Sequence, residues 1–297
     1  MRKCLRETCN RSQRTFNQFS TASMHKRLGN GDGGSRRLMG HQHLGTLPRS
    51  RKWQQVIKLI SSGADVHDIA AATSIAAEQQ MSDASDDTAV KHAVWLLTQI
   101  PVAARKEDFA VELRKLGLFV SDAPTLLEIA TAMNGAIDRH VARKGGRTDL
   151  GEMAQLSAVE SLNAVAGREL PDLFGSGAEK ARAALGGLGT VKQFAVLARD
   201  FFSRLTRRQL DYFLSRQLSQ HVGLQSRFRT LRELREFNNA VDLHCRETSR
   251  IIKEFSGEWF SKSNYEGGIT ETKAGHFAHV AFKKMREELR QRRGAHA

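Results

Sequence analysis

The chain has little of several residue types that mark particular classes of protein. Its 297 residues contain only three cysteines and four prolines. Three cysteines are too few for a disulfide framework, so we expect a reducing compartment, the cytoplasm. Scarce proline, with long stretches rich in Ala, Leu, Glu, Arg and Gln, favours α-helix. The sequence has no apolar run of about 18 residues, so we predict no membrane span.

The sequence also lacks the short motifs that indicate nucleophilic or phosphate chemistry. It contains no Gly-x-Ser-x-Gly elbow and no His-Glu-x-x-His pair. The glycine-rich residues 29–34 have neither a strand before them nor a helix after them, which favours a flexible linker over a phosphate loop. His244 and Cys245 are adjacent, and helical neighbours diverge by about 100°, so we interpret them as a core histidine and a buried thiol. We predict no catalytic residue.

Two groups of residues in the sequence have side chains of the types that ligate metals. The first group joins Cys4 and Cys9 to a nearby histidine pair, in a spacing that fits no standard zinc motif. The second pair, His276 and His279, is three residues apart on a predicted helix, beside basic side chains that would repel a cation. We interpret the first group as part of an unfolded segment and the second as a solvated helix face, and we predict no metal and no cofactor.

Positive charge is concentrated at the two ends of the chain. The formal net charge is +14, yet residues 53–282 carry 28 basic and 28 acidic side chains. Residues 1–52 carry a net +10 and residues 283–297 a net +4. This distribution indicates a neutral globule with basic appendages rather than a basic domain.

The N-terminal segment, residues 1–45, is predicted to be a disordered basic tail. It is rich in Arg, Ser, Gly and Asn and poor in acids. The same composition is typical of organellar transit peptides, so mitochondrial import is the alternative localisation. Met24 or Met39 are alternative translation starts, and either would remove much of the positive charge.

The remainder is predicted to be all-α, a multi-helix bundle or helical array of about nine helices. Asp65, Thr148 and Thr190 are predicted N-caps, Pro101 a helix end and Pro124 a first-turn residue. The predicted helices span 52–62, 65–81, 83–100, 102–116, 124–143, 148–167, 177–185, 191 onward, 230–255 and 270–292. Glycines at 186–189 suggest helical subdomains at 46–186 and 187–297, although 46–297 can equally be one domain.

Basic helix faces are the strongest interaction feature. In the last helix, His279, Lys283, Arg286 and Arg290 share one side, opposite the apolar stripe. In the predicted helix 230–255, an arc of about 60° carries a second basic set. That set comprises Arg232, Arg235, Arg246, Arg250 and Lys253.

A competing interpretation is that acids at i,i+4 neutralise the internal arginines. The pairs are Asp200–Arg204, Arg207–Asp211, Arg232–Glu236 and Arg250–Glu254.

A predicted aromatic loop at 256–269 offers further candidates, Trp259, Lys262 and Tyr265. Such a loop can stack a base or bind a peptide. The alternative is that Trp259 and Phe260 plug the junction between the last two helices. Trp53 and Trp95 lie within apolar periodicity and are expected in the core.

From these features we expect a non-enzymatic helical accessory or adaptor protein of a larger assembly. Its partner would be another protein, and its basic ends would contact DNA, RNA or another acidic surface. One alternative is an enzyme acting on nucleic acid or nucleotides, with Lys262, Tyr265, Glu271 and His276 around its site. A further alternative is a protein-only interaction module. The sequence does not fix the oligomeric state.

Overall fold

The computed structural model of the chain describes residues 50–77, 86–170 and 177–295, apart from the side chains at 216, 289, 290 and 292–295. The predicted tail, residues 1–45, lies outside the described residues. The described part is an all-α array, which confirms the predicted fold class. None of its helices is both long enough and apolar enough to cross a bilayer.

The helices are connected mostly by short turns. The first six are α1 (Arg51–Ser61), α2 (Val66–Ala76), α3 (Thr88–Ala103), α4 (Phe109–Lys115), α5 (Leu126–Lys144) and α6 (Asp149–Gly167). The others are α7 (Ala178–Gly187), α8 (Val191–Gln220), α9 (Leu231–Thr248), α10 (Arg250–Tyr265) and α11 (Glu271–Ala295).

The predicted N-caps are confirmed. The Asp65 carboxylate accepts a hydrogen bond of 2.7 Å from the His67 N–H at the start of α2. The Thr148 hydroxyl accepts from Gly151 N–H at 2.9 Å, and the Thr190 hydroxyl from Gln193 N–H at 3.2 Å. Each side chain satisfies a donor that the first helical turn leaves unpaired.

Both proline predictions were wrong. Pro101 lies inside α3, which continues to Ala103. Only the last turn follows this proline, so the helix loses little from the missing N–H. Pro124 precedes α5, where Thr125 is the N-cap and its hydroxyl accepts from Glu128 N–H. Helix α3 likewise begins at Thr88, behind the Asp87 cap, and not at Asp83, which lies outside the described residues.

The predicted helix 230–255 is two helices, α9 and α10, separated at Ser249. Thr248 donates its hydroxyl hydrogen to His244 O, and Ser249 donates to Arg246 O, each at 2.8 Å. Hydroxyl groups bonded to the preceding turn accompany this break, as they often do where a helix bends. The predicted loop 256–269 was also wrong, because α10 continues to Tyr265.

Two apolar clusters form the core, and α8 contributes to both. Its first half contributes Phe201, Phe202 and Leu205 to a cluster that also contains side chains of α3, α5, α6, α10 and α11. Its second half packs with α1, α2 and α9 through Leu210 and Phe213. A helix of 30 residues is about 45 Å long, enough to serve both clusters. Each cluster draws side chains from both sides of residues 186–189, as expected if 46–297 is a single domain.

Candidate functional site

A cleft lined largely by arginines lies where α6, α8 and α9 meet, and it encloses about 430 Å³. We call it the arginine cleft. Its charged lining has six arginines and four acids, so the formal balance is positive. These are Arg168, Arg199, Arg204, Arg207, Arg208 and Arg246, with Glu160, Asp200, Asp211 and Asp242.

The arrangement follows from the amphipathic pattern of α8. Phe201, Phe202 and Leu205 are buried on the core side of the helix. Arg204, Arg207, Arg208 and Asp211 follow the i, i+3, i+4, i+7 pattern, so they share a separate, half-buried side of the helix. Helical periodicity therefore places the charged residues of α8 in one row along the cleft.

Three of the six arginines are held by carboxylates of their own helix. Arg204 Nε lies 2.6 Å from Asp200 Oδ2, Arg207 Nη1 lies 2.9 Å from Asp211 Oδ1, and Arg246 Nε lies 2.9 Å from Asp242 Oδ2. The predicted pairing is confirmed for Asp200–Arg204 and Arg207–Asp211, and also for Arg232–Glu236 at 2.9 Å outside the cleft.

Glu160 connects α6 to α8 across the cleft. Its Oε2 accepts from Arg204 Nη1 at 3.1 Å, and its Oε1 accepts from Arg208 Nη2. Burial acts to lower the pKa of Arg204, but the Asp200 and Glu160 carboxylates outweigh it and the pKa rises. Burial raises the pKa of Asp211, partly countered by Arg207. Carboxylates therefore hold four of the six guanidinium groups of the cleft, those of Arg204, Arg207, Arg208 and Arg246.

Two cleft arginines have no carboxylate within 4.0 Å among the described residues. Arg168, just after α6, is exposed, and Arg199 of α8 donates from Nη2 to the Arg246 carbonyl at 3.0 Å. Arg199 also borders an adjoining hollow of about 610 Å³, whose other charged residues are Glu247, Arg250, Lys253 and Glu254. Basic side chains thus extend beyond the cleft along α10.

The predicted basic set on helix 230–255 is divided by the break at Ser249. Arg246 lines the arginine cleft, while Arg250 and Lys253 lie on α10 beside the hollow. Arg232 and Arg235 are exposed on the first turns of α9 and do not line the cleft. The five residues therefore belong to two helices and not to the one continuous helix that the prediction assumed.

The predicted basic face of α11 is partly described. Lys283 is exposed, His279 is half-buried, and Arg286 is half-buried with an interaction partner. Phe277, Ala281 and Met285 of the same helix are buried. The Arg290 side chain lies outside the described residues.

The three predicted loop candidates belong to α10. Trp259 stacks on Phe277 of α11, with ring centroids 4.1 Å apart, which confirms its place as a plug between the last two helices. Phe260 stacks instead on Phe194 of α8. Lys262 is exposed, with Nζ 3.9 Å from Glu266, and Tyr265 is 92% exposed. These positions form no stacking platform with Trp259.

Sequence reasoning missed a cluster of two histidines and a glutamate. His92 of α3, His140 of α5 and Glu271 of α11 bring their ligand atoms within 4.8 Å of one another. Burial, then His140, lowers the pKa of His92 to about 4, and burial lowers the pKa of His140. Both rings are therefore neutral near pH 7. The residues are up to 179 positions apart, so spacing carries no signal of the cluster.

The adjacent pair His244 and Cys245 is structural, as expected. Cys245 is buried, and burial raises the pKa of its thiol to about 12. His244 is also buried and lies beside His67, with the two Nδ1 atoms 2.7 Å apart. A thiol that stays protonated and covered is a poor nucleophile.

Comparison of the chain with protein families, with curated proteins and with solved structures found no match in any of the three. No analogy of fold or family therefore bears on function. What the chain does must be argued from the geometry and chemistry of its own residues.

Proposed function

We propose that this protein is a non-enzymatic helical accessory protein that contacts the phosphates of a nucleic acid through the arginine cleft. The observation that carries the proposal is the lining of that cleft. Six guanidinium groups converge on one concave surface with only four carboxylates, and Arg168 and Arg199 have no carboxylate partner among the described residues.

Arginine is the residue suited to this task. Its planar guanidinium donates to two phosphate oxygens at once, and it is more weakly hydrated than an ammonium group. All six basic residues that line the cleft are arginines. Asp200 and Asp211, on the same helix as Arg204 and Arg207, restrict the rotamers of these two arginines, so less conformational entropy is lost when a phosphate binds.

The charge distribution of the whole chain supports the same proposal. Residues 1–52 and 283–297 add a net +10 and +4 outside the neutral body. Exposed basic side chains such as Lys283 and Arg235 add long-range attraction for a polyanion. In this proposal the cleft positions the partner and the basic ends raise the rate and strength of association.

An enzymatic site around 256–280 has less support. Lys262, Tyr265 and His276 are exposed, while Glu271 is engaged with His92, His140 and Lys144. The competing function is therefore a protein-only module whose cleft accepts an acidic protein segment. The nucleic-acid-binding function and the protein-only function require different ligands, so titrations with nucleic acids and with an acidic peptide distinguish them.

The test is fluorescence anisotropy with labelled duplex DNA, single-stranded DNA and single-stranded RNA at low salt. We expect binding by the full chain, weakened about tenfold in R168Q/R199Q, since two phosphate contacts are lost. K58Q/K180Q removes the same charge from exposed positions of α1 and α7, outside the basic ends and the cleft, and should stay within about twofold of the parent. Absence of binding to all three ligands, or equal losses in both variants, would overturn the proposal. Binding to a polyglutamate peptide alone would favour the protein-only module.

A further inference from the structure

We propose that His92, His140 and Glu271 form a binding site for a divalent transition metal of the zinc type. The inference is independent of the arginine cleft and of nucleic-acid binding. Two imidazole nitrogens and one carboxylate are a donor set that holds zinc in proteins and leaves a fourth position open to water.

The distances within the cluster suit one ion. His92 Nδ1 lies 3.0 Å from Glu271 Oε1, and His140 Nε2 lies 3.5 Å from Glu271 Oε2. Ligand atoms of a tetrahedral zinc site are about 3.3 Å apart, given metal–ligand bonds of about 2.0 Å. The donor atoms lie within 4.8 Å of one another, and because the two rings are nearly parallel, at 12°, they must tilt out of their stack for both lone pairs to point at one ion.

Packing of the surrounding rings holds the ligands together. The His92 and His140 rings stack face to face with centroids 3.8 Å apart. Trp95 also stacks on His92, with centroids 5.3 Å apart. Trp95 Nε1 donates to the Ile269 carbonyl at 2.9 Å, two residues before Glu271. Both histidines are buried, whereas the Glu271 side chain is 30% exposed, which gives an ion a path from solvent.

The cluster already attracts a cation. Lys144 of α5 places Nζ 3.2 Å from Glu271 Oε2, and its side chain is 59% exposed. A metal ion would take over this electrostatic role, and the lysine can turn outward into water. Lys144 therefore competes with a metal ion for Glu271. Removing the lysine should raise the metal affinity, an effect that a cluster held only by ion pairs would not show.

The experiment titrates the full chain, stripped with a chelator, with Co²⁺ and follows the visible absorption of tetrahedral cobalt, then displaces it with Zn²⁺. We expect one equivalent with this spectrum. E271Q and H92N/H140N should lose it, and K144M should bind at least tenfold more tightly. H276N/H279N removes two histidines of α11 that lie outside the cluster and should behave as the parent.

Circular dichroism and urea unfolding establish that each variant is folded. If E271Q unfolds, K144M still decides, because its affinity should rise only if the metal and Lys144 compete for Glu271. Absence of a tetrahedral cobalt spectrum in the parent would overturn the proposal. So would a spectrum that H276N/H279N abolishes, or an unchanged affinity in K144M.

Discussion

Gly257 of α10 lies directly against the backbone of Val191 at the start of α8. A Cβ atom at position 257 would be 2.2 Å from the Val191 carbonyl oxygen, closer than real Cβ contacts come. The absence of a side chain is therefore what lets α10 approach α8, beside the stacked rings of Phe194 and Phe260.

The variant G257A is expected to destabilise the fold by about 1–3 kcal/mol, because backbone cannot give way as a flexible side chain can. G135A is the matched control in the interior of α5, where the nearest atom is the Arg139 guanidinium at 3.0 Å. There alanine should be neutral or stabilising by up to about 1 kcal/mol from helix propensity. Urea unfolding followed by circular dichroism compares the two. A G257A protein as stable as the parent would show that the helices are further apart than described.

The variant E160Q is expected to bind nucleic acid a few-fold more tightly than the parent. It removes one negative charge from the arginine cleft and releases Arg204 and Arg208 for phosphate contacts. E152Q is the control, since Glu152 has similar exposure and its partner Arg147 lies outside the cleft. Anisotropy titrations measure both. Tighter binding by E152Q to the same extent would mean that net charge, and not the cleft, determines affinity.

Acid should destabilise the folded chain through His92 when unfolding is measured in the presence of a chelator. The pKa of His92 is about 4 in the folded state, against an ordinary value of 6.5. Between these two pH values the unfolded state therefore binds more protons than the folded state. Stability is fully present above the ordinary pKa and falls as the pH drops toward the folded one. From pH 7.5 to 5 the loss is about 2 kcal/mol, since one pKa unit corresponds to about 1.4 kcal/mol.

Urea midpoints across this pH range measure the effect. The H92N variant is expected to show a smaller change of stability with pH than the parent. The exposed His276 supplies the control, and H276N should leave the pH dependence unchanged. A parent whose midpoint is flat between these pH values would contradict a buried neutral His92.

Cys245 should resist thiol reagents in the folded protein. It is buried and its pKa is raised to about 12, so almost no thiolate exists at neutral pH. In C4S/C9S, which retains only this cysteine, labelling should be slow until denaturant is added. Fast stoichiometric labelling of the native variant would show that α9 opens readily.

Much of the fold was predictable because helical signals are local. Asp65, Thr148 and Thr190 act as caps through bonds to residues two or three positions away, and burial of Phe201, Phe202 and Leu205 follows from periodicity. The break at Ser249 was not predicted, since apolar periodicity runs on through it. Side-chain hydrogen bonds from Thr248 and Ser249 accompany the break, but equivalent bonds from Thr131 and Ser157 lie inside unbroken helices, so such residues do not mark a break in the sequence.

The candidate sites were less accessible to sequence reasoning. The i,i+4 pairs of α8 were predicted, but the link from Glu160 to Arg204 joins residues 44 positions apart on different helices. No sequence pattern marks Arg168, because it stands alone after α6 and lies near the other cleft arginines only in the folded chain. The cluster of His92, His140 and Glu271 likewise depends on how three helices pack.

The central claim is that the arginine cleft binds the phosphates of a nucleic acid. The most direct measurement is the slope of log Kd against log salt concentration for single-stranded RNA and duplex DNA, in the parent and in R168Q/R199Q. Each lost phosphate contact lowers the magnitude of this slope by about 1, so the account predicts a decrease of about 2 in the variant and none in K58Q/K180Q. A slope near zero in the parent, or the same slope in all three proteins, would contradict it.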